Sequence, residues 1–110
     1  MVKIPDLVQH NSSELTIICD FSPPRGGTPD LIADLDGLNP DLVSVAYNPG
    51  KSVRVNTVAI SAWIKANTTQ DVVFTLATRD MNKVAIQSLL LGAQLLGLQN
   101  VVVVEGDSLS

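Results

Sequence analysis

Four short runs of branched and apolar residues recur along the chain: "LTIIC" from Leu15, "LVSVA" from Leu42, "VVFTLA" from Val72 and "VVVV" from Val101. Their starts lie about 30 residues apart, and this recurrence restricts the fold more than any other feature. Near-continuous apolar runs predict strands buried on both faces, the usual condition of a parallel sheet. Parallel neighbours need a crossover of a dozen residues or more, usually a helix, and the spacing leaves room for one between each pair.

The intervening segments carry helix signals of their own. Thr28 can cap a first helix opened by Pro29, with Leu31, Ile32, Leu35 and Leu38 on one face, until Gly37 and Asn39-Pro40 interrupt it. Asn56 can cap a second, with Val58, Ala59, Ala62, Trp63 and Ala66 as its apolar stripe. Asn82 can cap a third that turns Val84, Ala85, Leu89, Gly92, Ala93 and Leu96 inward and ends at Gly97. Trp63 and the leucines read as packing residues.

The expected order is β-α-β-α-β-α-β over residues 15–110, behind a polar leader at residues 1–14. A doubly wound open sheet and a (β/α)8 barrel both show this alternation. A dinucleotide-binding unit should carry G-x-G-x-x-G after its first strand, and "PPRGGTPD" does not supply it. Repeat length favours the barrel, whose typical ~250 residues give each of eight units roughly 31. The expected fold class is therefore α/β, a parallel-stranded partial (β/α)8 TIM barrel amounting to about half a barrel and ending just after its fourth strand. Unpaired, "VVVV" would be an apolar edge. The expectation is a fragment of a longer chain, or a unit completed by another half.

Charge and cysteine content narrow the function classes. Seven basic and eleven acidic residues give a net charge of −4 and a pI near 4.6, with no electrostatic footprint for a nucleic-acid backbone or an anionic membrane. The single cysteine, Cys19, excludes an intramolecular disulfide, suits a reducing compartment and reads as a small buried hydrophobe. The N-terminus has no continuous apolar core of a signal peptide, and Gln94, Gln99, Asn100 and two glycines break the apolar stretch that ends at Val104. These features predict a cytoplasmic protein. The one histidine, His10, lies in the polar leader, where solvation is its simplest fate, and no Cys/His cluster has metal spacing.

Parallel strands share one C-terminal face, where barrel enzymes bind their ligands. Asp20, then Tyr47 and Asn48, then Thr78, Arg79 and Asp80, then Glu105, Gly106 and Asp107 fall at these ends. Each alone is an ordinary turn former; four successive tips carrying carboxylates, a phenol, an amide and a guanidinium predict a site. At the first tip, "DFSPPRGG" stiffens the exit with Pro23 and Pro24 and then lets it turn at Gly26 and Gly27, so the loop presents the Asp20 acid.

The motifs "DFSPPRG", "VSVAYNPG" and "LATRDMNKVAIQSLLLGAQLLGLQNVVVVEGD" resemble the successive strand-tip motifs of the methylenetetrahydrofolate reductase family, over nearly all the chain from Leu15 to Asp107. The last is the most specific: a strand, T-R-D-x-N, a helix with L-L-G-A, then L-G-x-x-N and a strand ending in G-D. The resemblance implies a flavin-dependent (β/α)8 barrel that moves a hydride from NAD(P)H through FAD to 5,10-methylenetetrahydrofolate, giving 5-methyltetrahydrofolate for one-carbon and methionine metabolism. It implies that Asp20 is the general acid, that Asp107 lies between flavin and pterin and holds the folate, and that Tyr47, Thr75, Glu105 and Gly106 contact FAD. No metal is implied.

The sequence departs from the family at three positions. Ala46 replaces a threonine common near the nicotinamide, Glu105 takes a position basic in some relatives, and Asp20 stands where relatives usually carry glutamate. The aspartate carboxyl falls back by about 1.5 Å, one carbon–carbon bond. Misplacement near 1 Å can cost on the order of 100-fold in rate, and burial would have to raise the acid's pKa for it to hold a proton. These 110 residues alone are expected to bind flavin weakly or not at all and to be inactive in isolation. The alternative is a non-catalytic half-barrel, a binding or assembly module closed by a homo-oligomer or a partner chain.

Overall fold

The computed structural model describes residues 3–5, 15–26, 40–48 and 53–106. Its strands are β1 (Ile18–Phe21), β2 (Leu42–Val45), β3 (Val72–Ala77) and β4 (Val101–Val104); its helices are α1 (Thr57–Asn67) and α2 (Lys83–Leu95). A short 3-10 turn over Thr78–Asp80 follows β3. The helix expected from Thr28 to Leu38, the solvated His10 and Asp107 lie outside the described residues.

All three strand pairings are parallel, and the sheet order β1-β2-β3-β4 follows the chain. A doubly wound sheet reverses its strand order at a switch point; this sheet does not, and an arc of a barrel advances in the same way. Register divides the side chains between two faces. Ile18↔Leu42, Val43↔Val72 and Phe74↔Val101 put Cys19, Phe21, Val43, Val45, Val72, Phe74 and Leu76 on one face, and Asp20, Ser44, Val73, Thr75, Ala77, Val102 and Val104 on the other.

The first face carries the core. Val43, Val45, Val72 and Phe74 pack with Val58, Ile60 and Ile64 of α1, Ala93 of α2 and Leu98. Burying a side chain the size of Phe74 stabilises the fold by about 1.5–3 kcal/mol. The second face is more polar and ends at the site described below.

The two expected helix caps that fall among the described residues form. Asn56 Oδ1 accepts from the N–H groups of Val58 (2.9 Å) and Ala59 (3.2 Å), and Asn82 Oδ1 accepts from that of Ala85 (2.8 Å). Gly97 follows α2 at φ 78°, the left-handed value that favours glycine at a helix end.

Four expectations need correction. Strand β1 begins at Ile18 and not at Leu15, because Asp41 pins the segment before it: Asp41 Oδ2 accepts from the Ile17 N–H, and the Asp41 N–H donates to the Ile17 carbonyl. Helix α1 buries Thr57, Val58, Ile60, Ser61 and Ile64, leaving Ala59 and Ala66 exposed and Ala62 and Trp63 half-buried. Isoleucines at i and i+4 bury more apolar area than the alanines, and Thr57 Oγ1 donates to the Thr75 carbonyl at 3.2 Å, which fixes the rotation. Helix α2 turns only a narrow line inward, Ala93 buried with Ile86, Leu89 and Gly92 half-buried, whereas Val84 is 73% exposed, Ala85 is exposed and Leu96 is the half-exposed C-cap. Val84 lies on the opposite side of the helix from that line. Cys19 is likewise half-buried.

Candidate functional site at the strand tips

Past β2 the ladder extends one bond, with the Ala46 N–H donating to the Phe21 carbonyl at 2.9 Å. Asn48 then takes φ 34°, a left-handed conformation that asparagine tolerates better than most residues. Its Oδ1 accepts from the Arg54 N–H at 2.8 Å. Arg54 in turn donates from Nη1 to the Pro23 carbonyl (3.0 Å), and the Val55 N–H donates to the Pro24 carbonyl (2.9 Å). Pro23 and Pro24 are both buried. The two prolines after Asp20 thus present carbonyls to the segment that leads into α1, besides stiffening the exit.

The tips of β3 and β4 are also joined. The Arg79 N–H donates to the Glu105 carbonyl at 3.0 Å, just before Gly106 turns at φ 97°. A Cβ at Gly106 would stand a tight 3.2 Å from Arg79 Cβ and 3.3 Å from Ala77 Cβ, so conformation and crowding both favour glycine.

Across β2 and β3, the Tyr47 hydroxyl donates to Asp80 Oδ2 at 3.0 Å. Arg79 holds the same carboxylate with both prongs, Nε to Oδ1 at 2.8 Å and Nη2 to Oδ2 at 2.7 Å. Such charge-assisted pairs are stronger than neutral ones. The Arg79 hydrogen bonds, with a smaller contribution from Tyr47, hold the Asp80 carboxyl below its ordinary range. Burial, and then the hydrogen bond and charge of Asp80, push the Tyr47 phenol above its own.

These tips enclose a cleft of about 100 Å³. Tyr47, Asn48, Thr75 and Arg79 supply its polar wall, and Ala77, Val104 and Gly106 its small floor. Of the residues expected to contact FAD, Tyr47, Thr75 and Gly106 meet here. Asp20 is exposed on the same face of the sheet, inside the β1 ladder opposite Ser44, and does not line the cleft. Glu105 is exposed and contributes its backbone carbonyl, not its carboxylate, to the described contacts. Asn48, Arg79 and Asp80 were visible in the sequence only as polar strand ends; pairing Tyr47 with Asp80 needs the parallel alignment of β2 and β3. Among the described residues no helix is long and apolar enough to cross a membrane, and no three His, Cys, Asp or Glu side chains cluster to hold a metal ion.

No curated relative matches the sequence. The family comparison matches residues 4–110, a span that takes in the four described strands, the two described helices and every tip residue named above. This chain belongs to the methylenetetrahydrofolate reductase family, a family of oxidoreductases.

Proposed function

We propose that this chain forms the N-terminal half of a FAD-dependent (β/α)8 reductase that converts 5,10-methylenetetrahydrofolate to 5-methyltetrahydrofolate with NAD(P)H as donor, in the cytoplasm. The observation that carries the reading is the convergence of Tyr47, Thr75 and Gly106 on one cleft at the C-terminal ends of parallel strands. FAD would supply hydride transfer between nicotinamide and folate. The residues present suit the edge of a flat ring system: Gly106 and Ala77 keep the floor free of bulk, while Tyr47, Asn48 and Thr75 offer polar atoms at the rim. Enclosed ligand sites occupy about 300–1,000 Å³, so this cleft of about 100 Å³ is one wall of a larger site. In this reading Asp20 gives a proton to the folate, Asp107 holds the pterin edge, and Glu105 borders the flavin.

Titration of the concentrated chain with FAD, followed by flavin fluorescence, tests the proposal. Weak saturable quenching is expected, and Gly106→Val should abolish it, because a branched side chain there would meet Arg79 and Ala77 and fill the floor. Quenching indifferent to Gly106→Val overturns the reading.

A second reading, a non-catalytic half-barrel closed by a homo-oligomer or a partner chain, draws on the exposure of all four β4 valines. Tight stoichiometric flavin in the purified chain would count against it.

A further inference from the structure

Asp80 does not line the cleft, yet both its oxygens are engaged by groups that do. Arg79 grips the carboxylate in a fork, and the Arg79 backbone is itself anchored on the Glu105 carbonyl. The carboxylate is therefore held in place from the β3–β4 side before it meets Tyr47 from the β2 side. A phenol has one proton to donate and spare lone pairs to accept with. Here that proton is directed at Asp80, 33 residues further along the chain.

We propose that Asp80 is a positioning residue: it fixes the Tyr47 ring across the tips of β2 and β3 and commits the phenolic proton, so that Tyr47 faces a ligand as a hydrogen-bond acceptor only. The groups selected at this wall are then N–H and O–H donors, such as the hydroxyls of a polyol chain or the ring N–H of a heteroaromatic. The role of Asp80 is confined to what Tyr47 does, and it rests on the flavin reading for the identity of the ligand.

The chain has a single tyrosine, so ultraviolet titration of the phenol reports on Tyr47 alone. Asp80→Ala should move that titration down toward the ordinary tyrosine range. With FAD as probe, Asp80→Ala should weaken binding about 10-fold or more, the scale of a charge-assisted hydrogen bond. Asp80→Asn, which keeps an acceptor of the same shape, should recover part of the loss. In a Tyr47→Phe background, Asp80→Ala should cost nothing further, since contacting residues that act through one another are not additive. An unmoved phenol titration overturns the positioning role, and so does an equal loss of FAD affinity in the Tyr47→Phe background. A native chain that shows the phenol shift but binds FAD no differently from Gly106→Val overturns the flavin assignment and leaves the coupling of Asp80 to Tyr47 standing.

Discussion

The Tyr47–Asp80–Arg79 cluster shows how one exposed carboxylate gains influence from its neighbours. Because the folded Asp80 pKa lies below its unfolded value, its contribution to stability is present above the ordinary value of 3.8 and is lost as pH falls through the lowered one. The Tyr47 shift has the opposite sense: its contribution is present below the ordinary value of 10.0 and fades as pH rises through the raised one. Denaturant unfolding followed against pH should therefore show an acid loss below 3.8 that Asp80→Asn reduces, with the native and variant curves converging at low pH. Curves that stay parallel throughout would remove Asp80 from the acid response. Glycine matters in a different way at position 106, where a left-handed backbone and two Cβ atoms 3.2 and 3.3 Å away both disfavour a side chain.

At the scale of elements, Ser61 is the exception in a well-satisfied helix. Its hydroxyl is fully buried on the core side of α1 and has no hydrogen-bond partner among the described residues. An unsatisfied buried hydroxyl is costly, and alanine is the better helix former. Ser61→Ala should raise stability by about 1 kcal/mol in a urea titration; a clear fall would mean that the hydroxyl has a function in the fold. The elements also show what the sequence could disclose. Asn56, Asn82 and Gly97 were legible because a cap acts on its own backbone or on N–H groups two or three residues away. The inward faces of α1 and α2 were less so: several rotations of each helix offer apolar residues, and the choice among them is made by the sheet and by the Thr57 hydrogen bond to β3. Strand β1 slipped from its expected start for a similar reason, since Leu15 and Ile17 are as strand-like as Phe21 and a distant aspartate decided the pairing.

For the whole molecule, the period of the apolar runs was enough to give a parallel sheet, and the parallel sheet was enough to bring Tyr47, Thr75 and Gly106 to one end. The partner of Tyr47 was not accessible that way, because a contact between residues 47 and 80 depends on how far β2 and β3 are offset. Among the described residues β4 is an edge of the sheet, and every valine in it is at least 40% exposed. Edges of this kind invite pairing with other chains, and lysine is a common deterrent. Val103→Lys should therefore lower concentration-dependent association in sedimentation velocity, at a stability cost within about 0.5 kcal/mol for a surface position. Association unchanged by the substitution would place the contact elsewhere.

Neighbouring strands in the sheet are also neighbours in the chain. During synthesis, then, β2, β3 and β4 each leave the ribosome to meet a template that is already laid down, and none of them is inserted between two earlier ones. Growth of such a sheet is vectorial: the last strand made is always the one that primes the next, so a nascent chain is most adhesive at its newest strand and safest once the following one has arrived.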